Sequence, residues 1–152
     1  RKICAHEPIV IDMGLVLNGY CSDMTRTVVL GVADQKTKSI FRLVRKAQLM
    51  AISKLKPGVS CKVIDTAARE IICSGGYGSQ FGHGLGHGVG LAVHEAPSLN
   101  TRNNKLLKTG MVVTIEPGIY ISGWGGVRLE NMAVITENSY RLFNSNSTCL
   151  AL

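Results

Sequence analysis

The segment Phe81-Gly-His-Gly-Leu-Gly-His-Gly-Val-Gly-Leu91 places a glycine at every second position from 82 to 90, and this narrows the folding options more than any other stretch. In a helix, His83 and His87 would share one face at i and i+4, the arrangement of a zinc-protease helix. Five glycines, each costing about 1 kcal/mol against alanine, make that helix untenable. In an extended chain the same residues separate cleanly: the glycines line one face, while His83, Leu85, His87, Val89 and Leu91 line the other. The bare face admits close approach of another backbone or of a substrate. His94 falls on the wrong side of strict alternation, so its convergence with the other two histidines requires a bulge or turn between Gly88 and Val93. Three of the four histidines packed into the twelve residues from His83 to His94 point to a site rather than to isolated core histidines.

The flanking pattern predicts how such a segment is held. Ile9 to Asp12 and Arg26 to Leu30 are β-rich, and Asn18-Gly19 between them is a strong hairpin signal. Asp34 is a plausible N-cap for a long helix carrying Ile40, Val44, Ala47, Ala51 and Leu55 at helical spacing, stopped by Lys56-Pro57-Gly58. A second helix starts after a Ser60 cap and ends at Gly75-Gly76. After the Gly/His segment come a polar loop from Ser98 to Lys108 and three strand-like runs: Met111 to Ile115, Val127 to Thr136 and Tyr140 to Phe143. A hairpin, two helices and then strands describe one α+β domain, with helices on one face of a mainly antiparallel sheet.

Several function classes are disfavoured. Seven of the seventeen Lys and Arg lie between Lys36 and Lys56 with a single aromatic, Phe41, among them and no nucleic-acid motif, so the +7 formal charge reads as a solvated helix face and no nucleic-acid partner is expected. No apolar run is long enough for a membrane span, no signal peptide is evident, and a soluble cytoplasmic protein with no membrane partner is expected. The five scattered cysteines form no Cys-x-x-Cys pair and are expected to be reduced, mostly buried thiols.

The few acidic residues are informative. A two-residue loop at Asn18-Gly19 pairs Leu17 with Tyr20 and hence Gly14 with Asp23. Asp12 and Asp23 then become diagonal neighbours on one face, roughly 7–8 Å apart at the backbone. Asp12 ends an apolar run, where an unpaired carboxylate is costly to bury. Glu116 follows Met111-Val-Val-Thr-Ile115 and precedes Pro117, which keeps it extended and ends the ladder. Glu130 shares a strand face with Arg128, and a salt bridge between the two is the plain structural alternative to a site role. Four carboxylates and at least one histidine embedded in apolar strands suit divalent ions such as Mn²⁺, with Co²⁺, Fe²⁺ or Zn²⁺ as alternatives. Two adjacent cations would let so many acids tolerate proximity.

Five ordered blocks, Ile11-Asp-Met-Gly14, Gly19 to Thr27, His83 to Pro97, Thr114 to Tyr120 and Gly126 to Asn131, resemble the signature of the pita-bread (creatinase/aminopeptidase) dinuclear metallopeptidases. Within that group the chain is similar to the Xaa-Pro branch, aminopeptidase P and prolidase-like dipeptidases. The resemblance spans residues 9 to about 136. It implies a curved antiparallel sheet with helices on one face. It also implies metal ligation by Asp12, Asp23, His87, Glu116 and Glu130, with Asp23 and Glu130 bridging two ions. His83 and His94 match substrate-site histidines, and Arg128 matches an arginine behind the metal ligands.

The implied reaction is hydrolysis of the Xaa-Pro bond at peptide N-termini by a hydroxide bridging two divalent metals, Mn²⁺ foremost. Glu116 would relay the water proton, His94 would donate to the oxyanion and His83 would contact substrate backbone. Short peptides with proline second are the expected partners, and the full-length protein is expected to form a homodimer. Family members carry preceding catalytic-domain elements, including a further substrate-site histidine, so residues 1–152 are expected to be the C-terminal portion of the catalytic domain with its N-terminal part missing. Methionine aminopeptidase is the alternative within enzymes, although its corresponding block usually lacks the equivalents of His83 and of the Arg128-x-Glu130 pairing. A non-catalytic pita-bread module binding peptides or proteins is the alternative outside enzymes.

Overall fold

The computed structural model describes residues 2–144. Strand β1 (Pro8–Met13) pairs antiparallel with β4 (Met24–Val29), and between them β2 (Val16–Leu17) pairs with β3 (Tyr20–Cys21). Asn18 and Gly19 both have positive φ, 51° and 85°, as the tight turn joining twisted strands demands. The pairs Leu17↔Tyr20 and Asp12↔Thr25 belong to one continuous register, so the diagonal placement of Asp12 and Asp23 is as expected.

Helix α1 (Gln35–Ile52) is capped by the Asp34 side chain, which accepts from Thr37 N, and α2 (Cys61–Ser74) by Ser60, which accepts from Val63 N. The first helix ends short of the expected Lys56-Pro57-Gly58 stop. Tight turns at Lys54 and Leu55 follow, and they still bury Leu55. Within the basic cluster the solvated-face expectation fails at Arg45, which is half-buried and donates to Gln48 Oε1 at 2.6 Å.

The remaining strands are β5 (Gly86–Gly88), β6 (Glu95–Leu99), β7 (Val112–Ile115), β8 (Gly118–Ile121), β9 (Gly125–Arg128), β10 (Asn131–Ile135) and β11 (Tyr140–Leu142). Five of them form a sheet in the order β11-β10-β7-β5-β6, while β8 and β9 make a separate pair; all described pairings are antiparallel. Pro97 sits in β6, at the sheet edge, where its missing N–H costs no interior ladder bond. The expected strand from Val127 to Thr136 is two strands in different sheets, because the chain breaks at Leu129 and Glu130.

Ile40, Val44, Ala47 and Ala51 from α1 and Ile64, Ala68 and Ile72 from α2 pack with Leu85, Leu99, Val113, Ile115, Ile119, Val127 and Leu129 in one core. Each fully buried Ile or Leu there contributes about 1.5–3 kcal/mol. The cysteine expectation holds only in part. Cys4, Cys21, Cys61 and Cys73 are all free, but only Cys61 is buried and Cys21 half-buried; Cys149 lies outside the described residues. Surface or edge positions left the others uncovered. Among the described residues no helix is long and apolar enough to cross a membrane.

Candidate metal centre

The Gly/His segment is extended, but its regular strand is only β5. A Cβ on Gly86 would lie 2.1 Å from the Thr114 carbonyl oxygen, and one on Gly88 would lie 2.3 Å from that of Ala96. Gly86 and Gly88 therefore admit neighbouring strands, the close backbone approach that the bare face was expected to allow. The required turn is present: bends from Gly90 to His94 reverse the chain into β6 and bring the His87 and His94 ring centroids to 4.2 Å.

Side chains from five places in the fold converge there. Asp12 leaves β1, Asp23 precedes β4, His87 lies at the centre of β5, Glu116 follows β7 and Glu130 fills the break between β9 and β10. Potential donor atoms lie within 4.8 Å of one another in three overlapping sets: Asp23, His87 and His94; His87, Glu116 and Glu130; Asp12, Asp23 and Glu130. Glu130 is common to the second and third sets, Asp23 to the first and third, and His87 to the first and second. The first set also makes His94 a potential donor, a role the sequence reading did not give it.

Hydrogen bonds orient the donors. His87 Nδ1 lies 3.0 Å from Gly88 O, so Nδ1–H donates to it and Nε2 faces Glu116 Oε1 at 3.2 Å and Asp23 Oδ2 at 3.6 Å. Thr114 Oγ1 donates to Glu116 Oε1 at 3.2 Å and accepts from His87 N at 3.0 Å. Thr25 Oγ1 donates to Glu130 Oε2 at 2.7 Å and accepts from Arg128 Nε at 3.0 Å. The Arg128–Glu130 salt bridge, the structural alternative for that pair, is replaced by this relay, because the break at Leu129 removes the shared strand face. Arg128 Nη2 instead pairs with Asp12 Oδ2 at 2.6 Å, and Nη1 donates to Tyr120 Oη at 2.9 Å.

Burial and mutual repulsion shape the protonation of the cluster. Burial, reinforced by the charges of Glu116, Asp23 and Asp12 and opposed by the Thr25 hydrogen bond, pushes the Glu130 carboxyl from its ordinary 4.5 up to about 7. Burial also raises Asp23, with Asp12 adding to the effect and His87 opposing it. For His87, burial pulls the pKa down, but the hydrogen bonds and charges of its acidic surroundings outweigh it and the net shift is upward. Glu130 Oε1 is buried without a hydrogen-bond partner. Such an atom is costly unless the carboxyl is protonated or faces a cation. The oxygen-rich, one- or two-histidine donor set and this orphaned oxygen together fit divalent cations.

His83, His87, Glu116, Tyr120 and Arg128 line a cleft of about 440 Å³. His83 Nδ1 lies 2.8 Å from Gly84 O, while its Nε2 is buried without a partner. A larger hollow of about 700 Å³ abuts Asp23 from the hairpin side, but it is mostly apolar and lacks His83, His87, Glu116 and Arg128. The smaller cleft is therefore the one with chemistry. A second device holds the Gly/His segment: buried Asp65 on α2 accepts from Leu85 N at 3.0 Å and pairs with Arg69, which donates to Phe81 O and His83 O, both at 2.8 Å.

All the expected site residues thus converge. Thr25, Thr114, Tyr120, Gln48, Asp65 and Arg69 were missed. The two threonines carried a legible signal, since each lies two residues from an expected acidic donor on the same strand face. Tyr120 sits on β8, a strand not anticipated after Pro117, although Ile119-Tyr-Ile121 is a β-rich run.

The architecture is that of the pita-bread enzymes. The prolidase of Pyrococcus horikoshii superposes with a TM-score of 0.96 at 44% identity, covering 99% of this chain and 43% of that one. The X-Pro aminopeptidase of Thermotoga maritima gives 0.94 at 39% identity, over 97% and 42%. Residues 1–137 match the family model of metallopeptidase family M24, and the chain belongs to that family. The Xaa-Pro dipeptidase of Pyrococcus furiosus is 51% identical over 138 residues, 91% of this chain and 40% of that protein. The chain spans about two fifths of the length of the curated relatives it matches.

Proposed function

We propose that this chain forms the metal-binding part of a metallo-exopeptidase that hydrolyses the Xaa-Pro bond at peptide N-termini. The observation that carries the reading is the convergence of Asp12, Asp23, His87, Glu116 and Glu130 around a buried, unpartnered carboxylate oxygen. Family membership supports divalent metal ions as the cofactor. The sharing of Glu130 and Asp23 between donor sets supports two of them, and the hard oxygen donors favour Mn²⁺. The similarity to proteins named Xaa-Pro dipeptidase and prolidase supports the proline specificity.

Bound at these donors, divalent ions would supply Lewis acidity and an activated water. The chain's own residues do the rest. Glu116, fixed by Thr114, takes and relays the water proton. His94, exposed beside His87, donates to the developing oxyanion. His83 is anchored through Nδ1 to Gly84 O, which leaves its unpartnered Nε2 to meet the substrate backbone. Arg128 holds Asp12 in place, and through Thr25 also orients Glu130. The order of the motif blocks supports residues 1–152 as the C-terminal portion of the catalytic domain. By the same resemblance the reading extends to a homodimeric full-length cytoplasmic protein acting on short peptides.

The test is hydrolysis by the full-length protein of Xaa-Pro, Xaa-Pro-Yaa and Met-Ala peptides with Mn²⁺. Cleavage of the proline peptides supports the reading. Cleavage of Met-Ala alone would make it a methionine aminopeptidase, and no cleavage of any peptide together with no Mn²⁺ binding would favour a binding module.

A further inference from the structure

Helix α1 points a long polar side chain into its apolar face. Gln48 is fully buried, adjacent to Ala47 and one turn from Val44 and Ala51, where the pattern calls for an apolar residue. Its Nε2 donates to Ile115 O at 3.2 Å and to Leu129 O at 2.9 Å. Ile115 immediately precedes Glu116, and Leu129 immediately precedes Glu130. Both hydrogens of one amide are therefore spent on the two peptide groups that lead into the two glutamates. The amide's orientation is fixed from behind, because Arg45 Nη1 donates to Gln48 Oε1 at 2.6 Å. Inverting it would set NH₂ against a guanidinium and a carbonyl against two carbonyls.

We propose that Gln48 is a positioning residue for the metal centre: by tying the backbone before Glu116 to the backbone before Glu130, it completes what the β7–β10 ladder begins and fixes the spacing of the two carboxylates. This rests on the reading of those glutamates as metal donors. Glu116 follows β7 and Glu130 lies between β9 and β10; β10 pairs with β7, with Asn131 opposite Ile115, so that ladder holds one side of the pair and leaves the β9 side to be held otherwise. No ladder joins β7 to β9, and Gln48 bridges them from the helix layer. A core polar group that breaks the apolar pattern is expected where function, not packing alone, sets the requirement.

A purely structural brace and a positioning device predict different things. A brace that only satisfies two buried carbonyls costs stability when lost, yet leaves the metal environment of the folded molecules unchanged. A positioning device alters that environment. The experiment compares the intact chain with Gln48→Met and Arg45→Met, each checked for folding by near-ultraviolet circular dichroism. Mn²⁺ binding is measured by calorimetry, and the visible spectrum of the Co²⁺-loaded form is recorded. Arg45→Met leaves the glutamine in place and removes only the bond that orients it.

Folded Gln48→Met should bind at least one ion about 10–100-fold more weakly, with a displaced Co²⁺ spectrum, the usual consequence of losing an outer partner of a metal site. Arg45→Met should move both readouts in the same direction by less. A folded Gln48→Met variant with unchanged affinities and spectrum overturns the proposal. If that variant does not fold, Arg45→Met decides: a lowered Tm with unchanged metal readouts overturns it. Absence of metal binding by the unmodified chain would defeat the metal reading itself, whereas equal binding by all three proteins defeats only the role of Gln48.

Discussion

Replacing Glu130 by glutamine should make the metal-free protein more stable at neutral pH, although the same change removes a proposed metal donor. The Glu130 carboxyl is raised from 4.5 to about 7, first by burial and then by Glu116, Asp23 and Asp12. The folded state therefore holds a proton that the unfolded state has released across this window, so stability is fully present below about pH 4.5 and declines as pH rises through about 7. A gap from 4.5 to about 7 corresponds to about 3 kcal/mol at roughly 1.4 kcal/mol per pH unit. Glutamine resembles the protonated carboxyl in shape, can still accept from Thr25 Oγ1, and does not ionise. Urea unfolding in the presence of a chelator, from pH 4.5 to 8, should give similar stabilities for the two proteins at the acid end. At the alkaline end Glu130→Gln should lead by about 3 kcal/mol. Millimolar Mn²⁺ should then reverse the order by stabilising only the unmodified chain through binding to its folded form. Parallel stability curves across this pH range would refute the claim that Glu130 is held protonated by its surroundings.

The other consequences are simpler to read. His87→Ala removes the nitrogen that faces both Asp23 and Glu116, and should abolish one metal site and nearly all peptidase activity of the full-length protein. Turnover like that of the unmodified enzyme would remove His87 from the centre. Glu116→Gln should lower kcat by about 10²–10⁴-fold, the usual worth of a positioned acid–base group, and an unchanged kcat would assign the base elsewhere. Gly86→Ala would place a methyl 2.1 Å from the Thr114 carbonyl oxygen, and should cost about 1–3 kcal/mol through overpacking. A thermal melt superimposable on that of the unmodified chain would show that β5 and β7 do not approach so closely.

Local rules made much of this fold legible. Asp34 and Ser60 cap the helices they were expected to cap, because a cap is decided within four residues. Asn18-Gly19 specified a hairpin whose register carried through to Asp12 and Thr25, and that register made the convergence of Asp12 and Asp23 predictable. The histidine turn followed from strand parity at His94. What was not legible depended on partners far along the chain. Arg128 reaches across to Asp12 instead of along its own strand to Glu130, because the chain breaks at Leu129, and no composition signal marked that break. The glycines at 86 and 88 announced a close approach, but only the packed sheet shows that the neighbours are β6 and β7. Gln48, Asp65 and Arg69 were invisible as site residues because each acts on backbone groups at least twelve positions away.

The central claim is that this chain alone gathers five donors into a site for two ions, and a calorimetric titration of the chelator-treated protein with Mn²⁺ tests it most directly. Two bound ions per chain, with protons released near pH 6.5 as Glu130 ionises, is the predicted result. No binding, or a single ion whose uptake survives both His87→Ala and Glu130→Gln, would contradict it.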